Sequence, residues 1–112
     1  MANRVKYDQL KFNVSQNFSY GSSSAQSNAF DDNTVAIMLS ARNNSDKVAQ
    51  FTIGTNPTAT NSHGHLMCHN DNASYADQRV FLKLFIDKGT SQKVALKGAN
   101  TGLGNIIELK WY

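Results

Sequence analysis

The segment NSHGHLMCHNDN, residues 61–72, gathers all three histidines of the chain and its only cysteine. His63, His65, His69 and Cys68 are metal-ligand residue types, and imidazoles suit zinc or nickel. On an extended strand His63, His65 and His69 share one side, with Cys68 opposite. The order His-x-His-x2-Cys-His is, however, not a spacing used by structural zinc sites. The surrounding Asn, Ser and Gly read as a polar loop, so no metal is assigned within one chain.

A Cys68 nucleophile served by His69 is the other chemistry this segment raises. Adjacent strand residues point to opposite faces, which argues for an inert thiol instead. No other catalytic frame stands out. The glycines of GTSQKVALKGANTGLG have neither phosphate-loop nor dinucleotide spacing. There is no Gly-x-Ser-x-Gly elbow, and a single Glu leaves no paired glutamates. The chain is not expected to be an enzyme or to need a cofactor.

The elements that position these residues follow from composition. In 112 residues, 40% hydrophobic, there is room for one domain with one modest core. Glu is nearly absent while Asn, Ser and Thr abound, which favours strands and turns over helices. No apolar run approaches the ~20 residues that span a bilayer. MANRVKYDQL lacks the apolar stretch of a secretory signal, and one cysteine forms no intrachain disulfide, so a cytosolic product is expected. The net charge of +3 leans towards an anionic partner.

Along the chain, RVKYDQLKFNV (4–14) reads as one or two short strands, and residues 15–33 as a polar connection or a poorly patterned hairpin. TVAIMLSAR (34–42) and KVAQFTIG (47–54) flank the turn NNSD (43–46), predicting a β-hairpin. Residues 55–74 read as a long loop. In SYADQRVFLKLFID (74–87), Val80, Leu82, Leu84 and Ile86 alternate with Tyr75, Asp77, Arg79, Phe81, Lys83 and Phe85. TSQKVALKGAN (90–100) reads as a short capped helix or a further strand. TGLG (101–104) reads as a turn, and NIIELKWY (105–112) as a terminal strand or docking tail.

The order of these elements resembles the coat proteins of single-stranded RNA bacteriophages, the leviviruses. The hairpin runs into TNPTAT, then a Gly- and Cys-containing loop, then SYADQRVFLKLF and the turn DKGTS. The similarity spans roughly residues 33–91. It implies a mainly β, α+β subunit: an antiparallel sheet built from an N-terminal hairpin and central strands, with a short C-terminal helix or strand. Residues 90–112 would pack on a second copy, giving a dimer with one continuous sheet, and dimers would assemble into an icosahedral shell. The implied partners are itself and single-stranded RNA, with no membrane. The implied setting is the virion, assembled in the bacterial host cytoplasm.

Within that resemblance Tyr75 and Asp77 match the family's Tyr-Ala-Asp, in which the tyrosine stacks on a loop base. By strand parity Arg79 and Lys83 share their face, and Gln50, Thr52 and Ser40 would join it, with Lys47 near the turn. An aromatic ring with cations suits a splayed base and its phosphates. One departure is that Ala36 and Met38 stand beside Ser40 where the family's adenine pocket uses small hydroxyl residues. Another is the short C-terminal part. Residues 55–74 would gather around a symmetry axis, where copies of Cys68, His63, His65 and His69 from several subunits converge. Interchain disulfides or a shared metal are then the chemistry open to them. The rival reading is a soluble β-sandwich lectin, in which Asn, Asp, Trp111 and tyrosines would clasp a sugar.

Overall fold

Side-chain alternation organises every strand of the computed structural model, which describes residues 9–69 and 81–112. The eight strands are β1 (Leu10–Tyr20), β2 (Ala25–Gln26), β3 (Ala36–Arg42), β4 (Val48–Gly54), β5 (Gly64–His69), β6 (Leu82–Phe85), β7 (Lys93–Lys97) and β8 (Gly102–Trp111). Antiparallel pairs join β1 to β8, β2 to β7, β3 to β6 and β4 to β5. The β3–β8 and β4–β7 pairs complete a front sheet β1-β8-β3-β6 and a back sheet β2-β7-β4-β5. First strand against last, second against seventh, and so inward, is a jelly roll. At one corner β5 leaves the back sheet, and Cys68 and His69 pair in parallel with Ala41 and Arg42 of β3. That bridge bends the two sheets into a nearly closed barrel.

The core lies between the sheets. Ile37, Leu39 and Ala41 of β3, Leu66 of β5, Val94 and Leu96 of β7 and Ile106 of β8 meet there with Tyr20 and Phe30. Phe18, Phe51, Ile53, Leu82, Leu84 and Ile86 pack against them. Full burial of each aliphatic side chain contributes about 1.5–3 kcal/mol. Leu82, Leu84 and Ile86 face inward and Lys83 and Phe85 outward, as alternation predicted. Val80 and the rest of residues 70–80, including Tyr75, Asp77 and Arg79, lie outside the described residues.

Several expectations are corrected. The fold is all-β among the described residues, not α+β, and residues 93–97 form β7 instead of a helix. Lys93-Val94-Ala95-Leu96-Lys97 alternates, with Val94 and Leu96 in the core, and a buried period of two outweighs helical caps. Among the described residues there is no N-terminal hairpin, because β1 pairs with the last strand.

The central hairpin is absent too. Asn43 Oδ1 accepts the Ser45 and Asp46 amides at 2.9 and 3.0 Å, so the expected turn does form. It carries the chain from front sheet to back sheet, and the end of β5 slots between β3 and β4. The Asn43 amide donates to the His69 carbonyl, and the Cys68 amide to the Lys47 carbonyl. The described part of the expected loop 55–74, residues 55–69, is therefore a connection followed by strand β5. TGLG is not a simple turn either, since β8 begins at Gly102. A Cβ on Gly102 would collide with the Tyr20 phenol. These strand glycines make room for aromatic rings of β1.

Candidate ligand-binding surfaces

Three surfaces result from this topology. The first is a groove of about 480 Å³ beside the back sheet, lined by residues that include Lys47, Gln50, Asn61 and Lys97. Gln50 and Lys97 are direct cross-strand partners. The Lys97 ammonium donates to Asn61 Oδ1 at 2.9 Å, tying the 55–63 connection across the groove. That connection is further held where Gln26 Nε2 donates to Asn56 Oδ1 and the Pro57 carbonyl, both at 2.8 Å. Asp46 also lines the groove, but the Asn100 amide and side chain occupy its carboxylate at 2.8 and 2.7 Å. Those bonds hold its pKa below the usual carboxylate range.

The second surface is the outer face of the front sheet. Register places Phe12, Leu109, Ala36 and Phe85 in one row across β1, β8, β3 and β6. Phe12 is 60% exposed and Phe85 48%, while Leu109 and Ala36 between them are buried. Beside this row stand Leu10 paired with Trp111, and Ile107 paired with Met38. Further along the strands the same face turns polar at Asn17, Asn105 and Ser40.

The third is a hollow at the end of the barrel where Lys11, Asn33, Lys88, Lys110 and Trp111 meet.

The residues expected to form one RNA face are divided among these places. Gln50 and Thr52 lie on the outside of the back sheet, Lys47 in the turn before it. Ser40 and Lys83 belong to the outer side of the front sheet, across the core. The split follows from β3 and β4 lying in different sheets. Ser40 is moreover fully buried, with no partner for its hydroxyl among the described residues, and offers no surface to a ligand.

The histidine segment is also resolved into distinct roles. His63 Nδ1 accepts the Thr60 amide at 2.9 Å and closes a turn. His65, Met67 and His69 alternate with Leu66 and Cys68, which face the core. No cluster of three metal-ligating residues forms among the described residues. Cys68 Sγ lies 3.5 Å from the Tyr20 hydroxyl, which also accepts from Asn43 Nδ2 at 3.3 Å. Burial pushes the Cys68 thiol and the Tyr20 phenol above their ordinary pKa values. A raised thiol pKa keeps Cys68 protonated and poorly nucleophilic near neutrality.

Comparison with protein-family models, curated proteins and solved structures returned no match. The surfaces thus rest on their own chemistry. Sequence reading did not foresee the roles of Phe12, Lys97, Asn61 or the three end lysines. The alternation of KVALK was the available signal for Lys97. The lysine cluster has no local signal, because its members come from three separate elements.

Proposed function

We propose that this chain is a structural shell subunit that associates with copies of itself through the outer face of the front sheet and packages single-stranded RNA. The observation that carries the reading is the apolar row on the outer face of the front sheet, where exposed Phe12 and Phe85 flank buried Leu109 and Ala36. Large apolar side chains aligned on a sheet face mark an interaction surface. A sheet face that meets a second copy of itself about a two-fold axis buries both rows with one set of residues. Viral capsid domains and lectins both use jelly rolls, so the fold supports the shell reading without selecting it. What is retained from the leviviral resemblance is the role of a phage coat subunit, in the virion and carrying RNA. The leviviral subunit architecture is not retained. The positive net charge favours packaging through phosphates.

Size-exclusion chromatography with light scattering, electron microscopy and an absorbance ratio on purified particles test this together. Closed particles carrying nucleic acid are expected, and Phe12→Ser with Phe85→Ser should leave soluble, folded small species. A wild-type chain that stays monomeric at high concentration would reject the proposal. The lectin reading shares the fold and has the polar back-sheet groove in its favour. Among the described residues no aromatic ring lines that groove, however, and Tyr20 is buried. Retention of a small discrete oligomer on a sugar resin would put that reading in its place.

A further inference from the structure

The open end of the barrel carries a concentration of positive charge that the fold offsets only in part. Lys11 and Lys110 are direct cross-strand partners on β1 and β8. Like charges placed opposite each other on neighbouring strands are destabilising. Lys88, from the connection between β6 and β7, joins them, and together with Asn33 and Trp111 they line a hollow of about 280 Å³. Among the described residues no carboxylate lines it. Asp31 acts on Lys110 from outside the hollow, its Oδ1 accepting from Asn13 Nδ2 at 3.0 Å and from the Asn33 amide at 2.9 Å, so it offsets only part of the charge of the three lysines. Glu108, next inward on β8, is sealed beneath the surface by Thr34 and the Asp31 amide. The ammonium groups of Lys11, Lys88 and Lys110 have no ion-pair or hydrogen-bond partner among the described residues. Lys11 instead lies 5.9 Å from the centre of the Tyr112 ring.

Three ammonium groups with a surplus of positive charge around a concavity select a polyanion. An indole two-fifths exposed at its wall adds a flat surface on which a planar ring stacks. Phosphates and bases joined in one flexible strand satisfy both features. A duplex keeps its bases stacked on one another and away from the indole. We propose that this hollow is a binding site for single-stranded RNA, with backbone phosphates held by Lys11, Lys88 and Lys110, a base stacked on Trp111 and Asn33 hydrogen-bonding at the rim. The assignment rests on the RNA-packaging reading above and locates it at residues outside the expected Tyr75–Lys83 face.

Trp111 is the only tryptophan of the chain, so tryptophan emission reports on the wall of this hollow, and light scattering on the same samples separates RNA quenching from self-association. The experiment titrates the full chain with an unlabelled uridine 12-mer while following tryptophan emission. In parallel, a fluorescein-labelled copy of the same RNA is followed by anisotropy at several salt concentrations. Both signals should saturate together. The Lys11→Gln, Lys88→Gln, Lys110→Gln variant, with unchanged melting temperature, should bind on the order of tenfold more weakly. Its salt slope should be smaller by roughly 2, since each phosphate contact on a single strand contributes about 0.7. Anisotropy binding with unquenched Trp111 and an unaffected triple variant would overturn this site while leaving RNA packaging standing. No binding by the wild-type chain in either signal would overturn both. Should the triple variant unfold, the wild-type quenching result still decides the site.

Discussion

The Thr34 hydroxyl donates a 2.8 Å hydrogen bond to Oε1 of Glu108 in the buried end of the barrel. The same oxygen accepts the Asp31 amide at 2.8 Å, and Oε2 accepts from Gln16 Nε2 at 3.2 Å. Glu108, the only glutamate of the chain, therefore fastens β8 to β1 and to the connection that precedes β3. Glu108→Ala strands three donors and is expected to cost about 2–4 kcal/mol, whereas Glu108→Gln keeps an acceptor and costs less. Urea unfolding followed by circular dichroism checks this, and equal midpoints for wild type and Glu108→Ala would refute the role.

Acid should loosen the fold at two places, the Glu108 end and the Asn43 turn. Hydrogen bonds from the Asn100 side chain and then its amide lower the Asp46 pKa. Hydrogen bonds from the Asn13 side chain and then the Asn33 amide do the same for Asp31. A carboxyl group with a folded pKa below its unfolded value of ~3.9 stabilises the fold above that value, and its contribution is lost as pH falls through the folded pKa. The melting temperature should therefore fall as pH drops from about 5 towards 2. The Asp31→Asn, Asp46→Asn variant should show a flatter acid limb in the same melts. A double variant with an unchanged acid limb would show that other carboxyls carry the effect.

Gly104 should tolerate no side chain at low cost. A Cβ there would stand 2.5 Å from Leu96 Cδ1 and 2.8 Å from Phe18 Cε1, both packed in the core. Gly104→Ala is expected to destabilise by about 1–3 kcal/mol through overpacking. Adding Phe18→Leu, which opens space at the same contact, should recover part of the loss. Denaturant midpoints of the single and double variants measure both, and a neutral Gly104→Ala would refute the packing argument.

Local pattern made much of the fold legible. The alternation of residues 82–86 predicted which side chains enter the core. The terminal strand in NIIELKWY and the Asx turn at Asn43 were readable for the same reason, since each depends on neighbours in sequence. The histidine segment reads as a loop because Asn, Ser and Gly surround it, although its alternation is that of a strand. Leu66 and Cys68 face in, and His65, Met67 and His69 face out, which is the pattern of a strand.

By itself the sequence determined a small β-rich domain, the inward faces of its strands and a surplus of positive charge. Only the tertiary structure decided that β3 and β4 belong to opposite sheets, that Ser40 is buried away from Gln50, and that Lys11, Lys88 and Lys110 share one hollow. Strand identity follows from period-two burial within a few residues. Strand partnership is set by which distant segments bury the most apolar surface together, here β1 against β8, about a hundred residues apart where Leu10 meets Trp111. No short-range pattern encodes that choice.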